Sequence, residues 1–322
     1  MLYYSQYTVL TRGGIDTIMA TTKATKKSTS SRTSAAKKTT SQKTANVNVV
    51  AKSEKTTSVA SDKKTRLPKD IASRLLAEII GTFVLALVAL TTASMGVLYV
   101  GLALIVIVMA VGGVSGAHVN PAVTFGLWTA RKVSWPVMLT YFVAQFIGAM
   151  LAVAVANVVS NGGFTMSFAN LTAINWPVFA VELVGALVFL FGLSAVLARD
   201  ELSASAKAFG IGLSLTVGLV AAGSLLSVAQ TTAYQKYQDD AASSTDSSTA
   251  FPHELLVKGA VLNPAVALAV TENTDSQLTS GVATKDETPV SRFGLEVVLG
   301  TLVGAVLGAN LFRFMGYTSA RK

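Results

Sequence analysis

Ser115-Gly116-Ala117-His118-Val119-Asn120-Pro121-Ala122-Val123-Thr124 carries the tripeptide Asn-Pro-Ala inside an apolar region, and Asn263-Pro264-Ala265-Val266 carries it a second time. At average composition a given tripeptide arises in roughly one chain in twenty of this length, so two copies at equivalent places in a repeat are not accidental. Asn is a good helix N-cap because its side-chain oxygen accepts a bond from the first-turn amides. Pro suits the first helical position because its missing N–H would be unpaired there anyway. Each tripeptide therefore starts a helix. Pro121 to Trp128 and Pro264 to Val270 are too short to cross roughly 30 Å of hydrocarbon at about 1.5 Å per residue, so half-helices are expected.

The residues around them are those of a membrane protein. Hydrophobic residues make up 51% of the 322 positions, and the mean hydropathy is +0.54. Six full spans are expected: Ile71 to Ser94, Val97 to Val114, Pro136 to Val159, Pro177 to Ala198, Ala208 to Ala229 and Gly294 to Met315. Residues 1–67 are polar and low in complexity, with Lys23, Lys26, Lys27, Lys37, Lys38, Lys43 and Lys52 and few acids. They carry no apolar stretch of the kind a cleavable signal needs, so the first span is expected to direct insertion. The segment is expected to be a disordered basic tail that supplies much of the +9 net charge. Met19 is an alternative initiator. A solvated tail is the plainest reading, with contact to anionic lipid as the functional one; specific nucleic-acid binding is not expected.

Positive residues set the orientation. Arg131, Lys132, Arg199 and Lys207 follow spans two and four, and Arg313, Arg321 and Lys322 end the chain. Those segments and both termini are expected to be cytoplasmic, in the plasma membrane. The opposite side receives Ser160 to Trp176 and the acids Asp239, Asp240, Asp246, Glu254, Glu272, Asp275, Asp286 and Glu287.

The chain repeats internally. Glu78, Gly81 and Val84 recur as Glu182, Gly185 and Val188; Gly101, Leu102, Leu104 and Gly112 as Gly212, Leu213, Leu215 and Gly223; and Gly148, Ala149 and Leu151 as Gly304, Ala305 and Leu307. Each half holds an odd number of full spans, so the second enters the bilayer upside down relative to the first. The two half-helices then meet by their N-termini near the midplane, in an all-α fold of six transmembrane helices plus two re-entrant half-helices. Irregular backbone at that depth needs protein or a watery cavity around it, which predicts a pore or a midplane site.

The first motif, together with Ala77-Glu78-Ile79-Ile80-Gly81-Thr82-Phe83 and Ala144-Gln145-Phe146-Ile147-Gly148-Ala149, resembles the major intrinsic proteins, the aquaporins and aquaglyceroporins. The resemblance implies a homotetramer of independent pores in the lipid bilayer, each passing small neutral solutes such as water or glycerol without a cofactor. It covers roughly Ile71 to Met315, within a channel domain expected over 68–322, with one repeat at about 71–159, the other at about 177–315 and an extracellular insertion at about 230–258. It places Asn120, Pro121, Ala122, Asn263, Pro264 and Ala265 in the pore. There the asparagine amides are expected to donate to a passing oxygen while the half-helix N-termini repel cations. Aligned outward from the motifs, the selectivity filter falls on Val100, Leu219, Ala260 and Val266. Val266 stands where most of these channels resemble one another in carrying Arg, so the ring is expected to be apolar and wider. The insertion, rich in Ser, Thr, Asp and Ala, reads as a mobile solvated loop, with a lid over the pore as the functional alternative.

Glu78 and Glu182 are the acids expected deepest in the spans. Intramembrane carboxylates invite a proton-relay reading, but the resemblance makes this pair supports for the half-helix loops. His118 is expected to structure the first loop, with pH gating as the alternative. His253 has no partner identifiable in the sequence. No enzyme constellation appears: without Cys and with two His there is no thiol nucleophile, disulfide or clustered metal site. Asn170-Leu171-Thr172 fits a glycosylation acceptor. Two other functions remain open at this point: an ion- or proton-coupled secondary transporter with inverted repeats, and a closed channel homologue acting as a membrane scaffold or junction protein.

Overall fold

A computed structural model of the chain describes residues 67–92, 96–160, 167–243, 250–282 and 287–315. The expected basic tail lies outside these residues except for Leu67, as do Asp246, Asp286, Arg321 and Lys322. The helices, in order, are α1 Ile71–Thr91, α2 Leu98–Ser115, α3 Pro121–Thr129, α4 Trp135–Val159, α5 Trp176–Leu197, α6 Ala204–Ser243, α7 His253–Leu256, α8 Pro264–Ala269, α9 Asp275–Ser280 and α10 Leu295–Phe314.

Six of them, α1, α2, α4, α5, α6 and α10, are long and apolar enough to cross a membrane, with mean hydropathies of 1.8 to 2.4. Their polarity is turned outside in. Ile80, Val106, Val143, Ile147, Val217, Val220, Leu299 and Leu307 are exposed, whereas Glu78, Gln145, Glu182 and Thr301 are buried. Such a surface is stable in hydrocarbon and not in water, so the chain is a multi-pass membrane protein.

Five spans begin and end within three residues of expectation. The fifth does not. α6 has 40 residues, about 60 Å of helix against roughly 30 Å of hydrocarbon, and it takes in Gln230 to Ser243 of the expected loop. No Gly or Pro occurs between Gly223 and Pro252, and Ala, Gln and Lys are good helix formers, so nothing stops the helix as it leaves the membrane. Tyr237 stacks on Phe251 with ring centroids 4.9 Å apart, which ties the extension to the chain that returns from it.

The two halves pack alike. α1 lies against α4 and α2, α5 lies against α10 and α6, and α2 meets α6 between the halves. Four of the repeated glycines, Gly101, Gly148, Gly212 and Gly304, sit at these crossings. A Cβ on Gly101 would press on the carbonyl of Gly212 and one on Gly212 on the carbonyl of Gly101, so two equivalent residues touch each other across the pseudo-two-fold axis. On α10, Gly300, Gly304 and Gly308 lie over the carbonyls of Phe179, Leu183 and Leu187, a four-residue ladder that brings two backbones into contact. Gly148 makes the matching approach to Ile79 on α1.

The short helices α3 and α8 fill the space between the halves, α3 against α10 and α4, and α8 against α4 and α1. α3 ends beside Arg131 and Lys132, and Arg313 Nη1 donates to the Ala130 carbonyl there; this is the basic side. α8 ends toward Thr271, which bridges to Ser291, while Ser167 pairs with Val290; this is the loop side.

The glycine ladder should not tolerate branching. Gly304→Val should cost roughly 2 kcal/mol or more by overpacking, read as a lowered melting midpoint in detergent. Val303→Ala, at an exposed position one residue away, should leave the midpoint nearly unchanged.

Candidate functional site

The site is built where α3 and α8 start. Asn120 Oδ1 accepts from Ala122 N at 2.8 Å, and Asn263 Oδ1 accepts from Ala265 N at 3.0 Å and Val266 N at 3.3 Å. Proline follows each, so the first helical position has no N–H to satisfy. The amide nitrogens cross between the halves: Asn120 Nδ2 donates to the Leu262 carbonyl at 2.8 Å and Asn263 Nδ2 to the Val119 carbonyl at 3.0 Å. One donor of each amide is therefore already bonded between the halves. Val119 and Leu262 both lie in the left-handed region, at φ of 44° and 54°. A left-handed valine is uncommon and costs on the order of 1–3 kcal/mol. It is this turn that aims each carbonyl at the other half's asparagine.

Two buried carboxylates hold the loops that lead into the helices. Glu78 accepts from Ser115 Oγ, His118 N, Val119 N and Gln145 Nε2 at 2.6 to 3.0 Å. Glu182 accepts from Val261 N and Leu262 N, the latter at 2.8 Å. His118 Nδ1 lies 3.1 Å from Thr124 Oγ1, and its ring meets Tyr141 edge-on.

A charged cluster missed in the sequence backs the second loop. Arg292, almost wholly buried, donates from Nη2 to Glu182 Oε1 at 3.4 Å, and from Nη1 to Glu296 Oε1 at 2.8 Å and Glu272 Oε1 at 3.4 Å. Glu272 and Glu296 are as deeply buried as the two acids expected to be deepest. His253 does have partners: its Nε2 lies 2.9 Å from Glu296 Oε1 and 3.6 Å from Glu272 Oε1. His253, Glu272 and Glu296 bring ligand-type atoms within 4.8 Å of one another, a grouping the sequence does not reveal. The guanidinium already occupies the shared carboxylate oxygens, so Arg292 balances this charge. Asn170, read as a glycosylation acceptor, instead donates to Glu272 Oε2 at 2.9 Å. One signal for the cluster was available. Arg292 is the one arginine between Arg199 and Arg313, beside a span and four residues before Glu296.

A cavity of about 270 Å³ opens from the loop side and reaches both asparagines. Val100, Leu219, Ala260 and Val266 all line it, as do His118 and Lys258. Glu78, Glu182 and Arg292 do not line it; they lie behind its wall.

Comparison with known proteins gives the same picture. The family model described as "Major intrinsic protein" matches residues 71–235, half of the chain, and stops before the second Asn-Pro-Ala. The chain is 36% identical over 102 residues to an aquaporin Z of Photorhabdus laumondii, a match covering 28% of this chain and 44% of that protein, less than half its length. It is 28% identical to an aquaporin Z of Brucella melitensis over 53% of this chain and 86% of that protein. It is 32% identical to the glycerol uptake facilitator protein-like 6 of Lactiplantibacillus plantarum over 46% of this chain and 74% of that protein.

His253 makes the cluster sensitive to pH. Burial alone would lower its pKa, but Glu296 and Glu272 outweigh both burial and the opposing Arg292, and the net shift is upward. Glu182 lies beyond the guanidinium, and Lys258 faces Glu272 from the cavity side. A group raised in the folded state stabilises fully below its unfolded value, about 6.5, and that contribution is lost as pH rises through the folded value. The melting midpoint of the wild type should therefore fall as pH rises from 6 into the alkaline range. His253→Gln should flatten that part of the profile.

Proposed function

The chain belongs to the major intrinsic protein family, and on that premise we propose that it is a passive transmembrane channel for small neutral solutes, water and glycerol among them. The observation that carries this reading is the cavity that ends on Asn120 and Asn263 at the facing starts of α3 and α8. Each amide nitrogen has two N–H groups. One of each is spent across the halves, which leaves the other to donate to a solute oxygen.

Val100, Leu219, Ala260 and Val266 form the narrow ring in this proposal. All four are apolar and Val266 supplies no guanidinium, so the ring is wider and poorer in donors than one with arginine. Water gains less there and glycerol-sized solutes are excluded less. The carboxylates speak for a channel over a proton-coupled carrier, because Glu78 and Glu182 are spent on loop amides and lie outside the cavity lining. Arg131, Lys132 and Arg313 gather on one side, which supports a plasma-membrane topology with cytoplasmic termini. We assign the repeats to 71–159 and 177–315, a homotetrameric assembly in the bilayer, and surface contact with anionic lipid to the basic tail.

The test is stopped-flow light scattering of proteoliposomes under a water gradient and then a glycerol gradient. Fast glycerol entry is expected, and Val266→Arg should slow it on the order of tenfold, the effect of one misfitting group in a pocket. Wild-type entry no faster than in empty vesicles for both solutes would overturn the proposal.

A further inference from the structure

Lys258 is the one charged side chain among the residues that line the cavity. Its backbone is fixed from two directions. Gln230 Nε2, on α6, donates to the Val257 carbonyl at 2.8 Å, and Glu182 accepts from Val261 N at 3.0 Å, so the segment that carries Lys258 is pinned at both ends. Its ammonium has little to neutralise it. Glu272 is the nearby acid, but Oε1 of that residue is held by Arg292 and Oε2 by Asn170, and the contact of Lys258 Nζ is the hydroxyl of Thr271 at 3.4 Å. Among the described residues no carboxylate lies within 4.0 Å of Lys258 Nζ. Val266, Ala260, Val100 and Leu219, also in the lining, carry no donor or charge in their side chains.

We propose that Lys258 is the specificity-determining cation of this pore, a fixed ammonium at the loop-side mouth that repels small cations and donates to the acceptor oxygens of entering neutral solutes. The proposal rests on the channel reading above. A charge in a cleft with apolar walls acts on a passing ion far more strongly than one in open water, because field lines are focused along the cleft. The arginine absent from position 266 thus has a functional counterpart eight residues earlier, outside the ring of Val100, Leu219, Ala260 and Val266. Desolvation at the mouth pushes the ammonium below the ordinary lysine value while Glu272 pulls it back up. The barrier is therefore lost as pH rises through that lowered value.

The experiment uses proteoliposomes of the full chain, wild type, Lys258→Met and Lys258→Arg, with glycerol entry by light scattering and potassium leak by a potential-sensitive dye in the same preparations. Lys258→Met should raise the potassium leak on the order of tenfold, the effect of one unit charge a few ångströms from the path at intermediate dielectric. Glycerol entry should slow in Lys258→Met, which has lost the donor, and Lys258→Arg should keep both the low leak and the wild-type glycerol entry. The wild-type leak should rise toward that of Lys258→Met at alkaline pH. Equal potassium leak in all three proteins, with glycerol entry present in the wild type, would overturn the assignment of Lys258 alone. Absence of glycerol and water entry in the wild type would overturn the channel reading and this proposal with it.

Discussion

A helix that begins in the middle of a membrane leaves backbone N–H groups with no water to bond, at a cost of several kcal/mol for each one left bare. This chain starts two helices there, and the rest of the design answers that cost. The asparagine oxygens take the first-turn amides of α3 and α8, and the following prolines remove one donor from each. The amides of the approaching loops are taken by Glu78 and Glu182. The remaining asparagine donors take the carbonyls of the opposite loop. Each half is thus completed by the other, and the left-handed turns at Val119 and Leu262 are held by a bond from across the axis.

The halves solve the same problem with different electrostatics. Glu78 is surrounded by neutral partners, Ser115, Gln145 and two backbone amides. Glu182 shares a guanidinium with two further carboxylates. Removing one member of such a buried cluster strands the others and costs about 3–5 kcal/mol, whereas the neutral version is less exposed to that penalty. The benefit of the charged version is reach. Arg292 binds acids from α5, from the segment after α8 and from α10, and the acids in turn bind Asn170, the Asn175 amide and His253. One buried cation thereby organises the loop side behind the cavity wall, where it contributes no donor to the cavity lining.

What the sequence could reveal follows from the range of the signal. The spans are continuous apolar runs, and the half-helix starts are written in three consecutive residues, so both are legible locally. The fate of Gln230 to Ser243 was legible too, in the absence of any helix breaker before Pro252, but polar composition suggested a loop. Thr274 and Gln277 form a capping box that starts α9, and that short pattern is also visible in the chain. The Arg292 cluster is different. Its members are spread from 182 to 296 and meet only through the fold, so nothing in their spacing marks them as neighbours. The crossing of the asparagine amides belongs to the same class, since it joins residues 142 and 144 positions apart.

The long sixth helix and the mouth of the cavity are mechanically one object. Gln230 lies where α6 leaves the expected membrane span, and its amide holds the carbonyls of Glu254 and Val257 together. Val257 is buried and leads directly through Lys258 and Ala260 to the loop amides that Glu182 accepts. His253, one turn earlier, is held by the Arg292 cluster that also reaches Glu182. The returning insertion is therefore fixed to the same buried acid from two sides. A helix that stopped at the membrane surface would leave residues 253–257 without the Gln230 anchor, and the mouth would have one wall tied to the core instead of two. The helix that runs on past the expected span thus supplies one of the two anchors of the cavity's outer rim.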